Sequence, residues 1–198
     1  MILSVVIPTL QRGQWLRIDD EFRGAGYELI INSDPVKALK EAKGHFILFL
    51  EEDSAFLEGE LINSLNMFLD NPSYRKLAMV TSGIDFDDTE DIAGFEYDDG
   101  VKLTNVHGDG QYPVSIGYLY GSIIRTSSLK RATLQKKKDT IYSSVKLSDF
   151  FWSNGLRVEI NPEAIYYAPV GTSSSLEGAY KLEDTSKALT VWKKEFIL

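Results

Sequence analysis

The sequence predicts an α/β domain with a mostly parallel central sheet flanked by helices. Three observations carry that expectation. Short β-rich apolar runs alternate with helical stretches between residues 3 and 83. One run, HFILFL at 45–50, has no polar face, as a parallel strand covered on both sides requires. Gly or Pro closes each helical stretch before the next strand begins.

The elements follow in order. LSVVI at 3–7 is a short buried strand stopped by Pro8. Trp15, Ile18 and Phe22 recur at helical spacing over 14–23, and Gly24 and Gly26 end that helix. YELII at 27–31 is a second strand. Asp34 before Pro35 pairs an N-cap with a proline at the first helical position, and Val36, Leu39 and Ala42 carry the helix to Gly44. HFILFL is the third strand. Leu61, Leu65, Phe68 and Leu69 line an amphipathic helix that closes near Asn71-Pro72, and LAMVTSG at 77–83 is a fourth strand.

Beyond residue 84 the pattern changes. The acidic stretch DFDDTEDIAGFEYDDG at 85–100 reads as a solvated loop or hairpin, and its spacing does not match an EF-hand calcium loop. YPVSIGYLYGSIIR at 112–125 is strand-like and rich in Tyr. A helix-like stretch with Leu189, Trp192 and Phe196 ends the chain. No repeat or linker divides the 198 residues, so one domain is expected over 1–198.

Composition narrows the class. The chain is 43% hydrophobic and 25% charged, contains no cysteine and carries a net charge of −8. Disulfides and thiolate metal sites are excluded. The average field repels polyanions such as duplex DNA, although a local basic patch can override it. No apolar run approaches the roughly 18 residues of a membrane span. MILSVVIPTL lacks a basic start and is broken by Pro8, so the expected location is the cytoplasm.

Ligands of open α/β sheets bind beyond the carboxyl ends of the strands. Glu51, Glu52 and Asp53 stand at such an end, directly after the most apolar strand. Acids at an exposed strand end are equally compatible with simple solvation. Four fragments, in one order, favour the ligand-edge reading. SVVIPTLQR at 4–12 resembles the opening strand and loop of family 2 glycosyltransferases with the GT-A (Rossmann-like) fold. ALKEAKGHFILFLEEDSAF at 38–56 resembles that family's helix, glycine and strand leading into its acidic D-x-D motif. YGSIIRTSSLKRA at 120–132 resembles its acceptor-side glycine strand and helix. LSDFFWSNGLRVEINPEAIYYAP at 147–169 resembles its late segment, where an acid opens a helix, a glycine ends it and a strand with P-E-A follows.

The resemblance implies transfer of a sugar from a nucleotide-sugar, expected to be a UDP-sugar, to an acceptor it does not identify. It divides the chain into a nucleotide-sugar half at 1–84 and an acceptor half at 101–198. It implies a divalent cation, Mn²⁺ or Mg²⁺, that neutralises the diphosphate leaving group. Aligned on D-x-D, the resemblance puts Glu51 and Asp53 at the metal, whose preference for oxygen ligands they suit, with Glu52 between them at the nucleotide. Pro8, Thr9 and Arg12 match the loop around the base. Asp34 follows either the second strand, whose terminal acid meets the uracil, or the segment that precedes the D-x-D strand. Asp149 matches the general base of a single inverting displacement; the alternative is a helix N-terminal acid favoured by the macrodipole. Lys130, Arg131, Lys136, Lys137 and Lys138 form a basic cluster that suits an anionic acceptor, lipid-linked or saccharide, or else a solvated face.

Three features depart from the family pattern. Glu51 replaces the first Asp of D-x-D, no His follows the P-E-A strand, and one strand-helix unit is missing before FILFL. They keep a non-catalytic GT-A-like binding or scaffold protein in view. A nucleotidyltransferase-like enzyme is a further alternative, for which PTLQRGQ is a poor version of the Gly-rich basic loop expected after strand one.

Overall fold

The computed structural model describes residues 2–8, 27–51, 54–56, 59–71, 73–86, 92–97, 101–106, 110–132 and 140–168. The expected helices at 14–23 and near 189–196 lie outside them. The described strands are β1 (Leu3–Ile7), β2 (Glu28–Ile31), β3 (Phe46–Phe49), β4 (Ala55–Phe56), β5 (Leu77–Phe86), β6 (Ile92–Tyr97), β7 (Val101–Asn105), β8 (Tyr112–Pro113), β9 (Ile123–Arg125) and β10 (Arg157–Ala168). The described helices are α1 (Pro35–Glu41), α2 (Glu60–Asp70), α3 (Thr126–Leu129) and α4 (Thr140–Ser153).

One sheet of ten described strands has the order β2-β1-β3-β9-β5-β10-β4, with β6 on β5, β7 on β6 and β8 on β10. β1 pairs in parallel with both β2 and β3, and β10 in parallel with β5. Antiparallel β9 sits between β3 and β5, so both of those run one way. The sheet is therefore mixed: five of the seven strands on its main path run one way, and β9 and β4 run against them, which the local alternation does not reveal. β6, within the acidic stretch, pairs antiparallel with β7 just beyond it.

β3 is apolar throughout because both of its faces are covered. Phe46 and Leu48 belong to one core layer with Leu61, Leu65 and Phe68 of α2. Ile47 and Phe49 belong to the other, with Ala38 and Leu39 of α1 and Phe151 and Trp152 of α4. Each fully buried side chain of this kind contributes on the order of 1.5–3 kcal/mol. α1 starts as its sequence requires: the Asp34 carboxylate accepts the backbone N–H groups of Val36 at 3.0 Å and Lys37 at 3.2 Å.

Two expectations change. Residues 114–122, expected to be strand, cross the sheet without regular pairing, tied down by hydroxyls. Gly117 and Leu119 donate their N–H groups to Ser148 and Ser144 of α4, and Tyr118 donates to Thr81 of β5. The helix expected to open at Asp149 begins at Thr140, placing Asp149 in its interior. Buried Val145 and Leu147 already commit the earlier turns to the core, so the macrodipole reading of Asp149 does not apply.

Close packing at the start of β3 is demanding. Gly44 donates its N–H to the Ser4 hydroxyl at 2.8 Å, and its carbonyl accepts the Thr126 hydroxyl at 2.6 Å. A Cβ there would lie 2.5 Å from the Ser4 nitrogen and 2.7 Å from the Leu3 carbonyl carbon, both backbone atoms. Gly44→Ala is expected to cost about 1–3 kcal/mol through overpacking. Calorimetry should show Tm falling by about 2–4 °C per kcal/mol. An unchanged Tm would contradict this packing.

Candidate active site

The carboxyl ends of β1, β2 and β3 form one edge of the sheet. Parallel register brings them level: Asn32 donates its N–H to the Ile7 carbonyl, and Leu50 donates to Val6. Half-buried Pro8 closes β1 at this edge, and half-buried Glu51 follows β3. Asp34 is also half-buried here, but its Oδ1 holds the α1 N-terminus. β2 lies directly beside β1, so the segment ending in Asp34 takes the second-strand place in the sheet.

Glu51 is the centre of the described edge. The Tyr166 hydroxyl donates to Glu51 Oε2 at 3.0 Å and accepts the Glu51 backbone N–H at 3.3 Å. Ser54 folds the chain back, donating its hydroxyl to the Glu51 carbonyl at 2.7 Å. Burial pushes the Glu51 carboxyl above its ordinary range, and the Tyr166 hydrogen bond pulls partly the other way. Burial, with the charge of Glu51 next, pushes the Tyr166 phenol well up, so it stays a donor.

Tyr166 is fully buried and has little freedom. Its ring packs against Phe56 at 5.6 Å and Tyr118 at 6.4 Å. Gly121 lies against it with φ +71°, and a Cβ there would stand 2.7 Å from the ring's Cδ2. The Gly121 N–H donates to the Phe49 carbonyl at 2.9 Å, locking this turn onto the end of β3. Neither Tyr166 nor Gly121 was singled out from sequence. The signals were present in IYYAP and YGS, but nothing local says that a tyrosine 115 residues away meets Glu51.

Glu52, Asp53, Thr9, Arg12, Lys136, Lys137 and Lys138 lie outside the described residues. Asp149 is half-buried, and its Oδ1 is shut from solvent with no hydrogen-bond partner among the described residues. Its neighbour Ser148 holds Gly117, next to Tyr118, whose ring meets Tyr166. Tyr118 itself is core, stacked on Phe95 at 5.3 Å. Lys130 and Arg131 are exposed, and the Lys130 ammonium reaches the Ala42 carbonyl at 3.1 Å, before β3 begins. Lys130 therefore stands at the opposite edge of the sheet from Glu51.

Among the described residues no three His, Asp or Glu side chains are grouped to hold a metal. Magnesium-type sites commonly use one or two carboxylates, with substrate phosphates and water completing the shell. Glu51 supplies one such oxygen donor and thus fits that requirement.

No protein-family model and no curated protein matches this sequence. Solved structures do. A197 from STIV aligns with a TM-score of 0.55 at 14% identity, over 86% of each chain. S. aureus TarS 1-349 in complex with UDP-GlcNAc aligns at 0.54 and 16%, over 85% of this chain and 58% of that one. GalNAc-T7 with UDP, GalNAc and Mn²⁺ aligns at 0.56 and 12%, over 84% of this chain and 43% of that one. The chain thus spans well under two thirds of the latter two. At such identities the likeness is one of fold, and the fold is that of the GT-A glycosyltransferases. Among the described residues no helix is long and apolar enough to cross a membrane.

The raised pKa of Glu51 has a measurable sign. Stability contributed by this group is full below the ordinary carboxyl range and is lost as pH rises through the raised value. Glu51→Gln, which keeps an acceptor for Tyr166, is therefore expected to be more stable than wild type at pH 7. The gain should vanish towards pH 4. Urea denaturation at both pH values checks this, and a variant less stable at pH 7 would contradict it.

Proposed function

We propose that this protein transfers a sugar from a nucleotide-sugar, with UDP as the nucleotide, to an acceptor. The observation that carries the reading is Glu51: a half-buried carboxylate at the ligand edge of a GT-A sheet, held by a buried tyrosine. A charge kept in a partly desolvated place costs stability, which a ligand site justifies better than a solvated strand end does. Support for the nucleotide comes from the fold neighbours, one in complex with UDP-GlcNAc and another with UDP, GalNAc and Mn²⁺.

Glu51, with Asp53, would hold a divalent cation, which when bound supplies neutralisation of the diphosphate leaving group. Tyr166 keeps the Glu51 carboxylate oriented toward the edge and cannot itself ionise near neutral pH. Pro8, Thr9, Arg12, Asp34 and Glu52 are the proposed contacts to the nucleotide, and the single domain over 1–198 is part of the same reading. Asp149 is the proposed base. Its Oδ1 has no donor among the described residues, and the half-buried carboxylate's other oxygen would take the proton of an acceptor hydroxyl.

A second reading rests on the same residue. A half-buried carboxylate inside a helix, with one oxygen shut from solvent, also suits a GT-A-like binding protein that performs no transfer.

Thermal shift with UDP-sugars and Mn²⁺ tests the nucleotide site. A ligand at 100 times its Kd adds about 2.7 kcal/mol of stability. Wild type should show the corresponding rise in Tm and Asp53→Asn should lose it; an equal rise in both would remove Asp53 from the site. Once an acceptor supports turnover, Asp149→Asn should lower kcat by about 10²–10⁴-fold with UDP affinity unchanged. Unchanged kcat would place the base elsewhere, and absence of turnover in wild type with every acceptor tried would favour the binding protein.

A further inference from the structure

A cleft of about 610 Å³ opens at the amino edge of β3, away from Glu51. Lys40 and Lys43 reach it from the end of α1, and Arg125 and Lys130 from the β9–α3 side. Among the described residues, the one carboxylate in its lining is Glu41, which accepts the Asn32 side-chain amide at 3.5 Å. Glu28, beneath, is taken up by the Ser4 hydroxyl and the Lys43 backbone N–H.

The four cations have no carboxylate partner among the described residues. Lys40 and Lys43 are exposed, and neither ammonium has a hydrogen bond or ion pair there. Lys130 is spent only on the Ala42 carbonyl. The Arg125 guanidinium is held rigidly against the Tyr74, Phe68 and Phe46 rings, its carbon 4.3 Å from the Tyr74 centroid, with Nε donating to the Leu77 carbonyl and Nη2 to the Tyr74 carbonyl, so it adds fixed positive charge and its remaining N–H groups. Such a gathering of cations is unexpected in a chain of net charge −8, where acidic residues to neutralise it are plentiful.

The cleft is also built rather than incidental. Thr126 ties its walls together: its N–H donates to the His45 carbonyl at 2.9 Å and its hydroxyl to Gly44. Beside it the exposed Ser127 faces the same space. The volume falls within the about 300–1,000 Å³ common for small-molecule sites.

We infer that this cleft binds the phosphate group of a small ligand, at a site separate from the nucleotide edge. The fixed charge of Arg125 and the exposed ammoniums of Lys40 and Lys43 suit a phosphate oxyanion, which accepts several charge-assisted hydrogen bonds at once. From His45 to Glu51 the chain advances at roughly 3.3 Å per residue, placing the two sites about 20 Å apart. A small ligand in the cleft cannot reach the chemistry at Glu51. The inference does not depend on glycosyl transfer.

Calorimetric titration with inorganic phosphate and, separately, glycerol 3-phosphate tests it. Both should bind wild type, and both should weaken at least about tenfold in Lys40→Ala/Lys43→Ala, as loss of a charged hydrogen bond predicts. Those lysines are exposed, so the variant should fold, which its circular dichroism and Tm verify. Tighter binding of glycerol 3-phosphate assigns the cleft to phosphorylated metabolites; tighter binding of phosphate assigns it to the free ion. The Tm rise with UDP and Mn²⁺, where wild type shows one, should persist in the double variant. No binding of either probe to wild type would overturn the inference. So would equal affinity in the double variant, or an equal loss in Lys146→Ala, which lies outside the cleft.

Discussion

The hydrogen bonds between Tyr166 and Glu51 join the two parts of the sheet on which the site depends. β3 brings Glu51 to the carboxyl edge, and β10, entering 115 residues later, brings the hydroxyl that meets it. Between them stands the turn at Gly121, whose left-handed φ and missing Cβ leave room for the Tyr166 ring. Filling that space or removing the hydroxyl would uncouple the end of β3 from β10. The aromatic packing of Phe56 and Tyr118 keeps the ring in place, so the hydroxyl has little rotamer freedom to lose when it bonds.

The same arrangement explains the electrostatics of the edge. A carboxylate beside a fully buried ring is poorly solvated, and one phenol hydrogen bond offsets only part of that loss. The remaining cost is the kind that a bound cation relieves, because opposite charge favours the ionised form. At the other end of β3 the balance is reversed. Cations gather around Arg125, and the described carboxylates nearby are engaged with Asn32, Ser4 and the Lys43 backbone. One buried strand thus separates an anionic edge from a cationic cleft.

Much of the fold was legible because it is local. The unbroken apolarity of FILF, the Asp34-Pro35 start of α1 and the spacing of Leu61, Leu65 and Phe68 each announce an element directly. What was hidden is non-local. No period in the sequence says that antiparallel β9 inserts between β3 and β5, or that Tyr166 reaches Glu51. The start of α4 was hidden for another reason. Ile141, Val145 and Leu147 are spaced out by polar residues, so the densest apolar cluster, Phe150 to Trp152, suggested a helix opening at Asp149 rather than at Thr140. The basic residues near 130 were visible as a charge cluster, yet their place opposite Glu51 follows only from β9 running against β3.

The central proposal is that Glu51 is a partly desolvated carboxylate that binds a cation together with a nucleotide. Its side-chain carboxyl resonance, followed by NMR from pH 4 to pH 8 with and without UDP and Mg²⁺, reads this directly. The account predicts a titration above the ordinary carboxyl range in the free protein, moving down when nucleotide and cation are both present. A carboxyl that titrates in the ordinary range when free, or whose titration is the same with and without them, would contradict it.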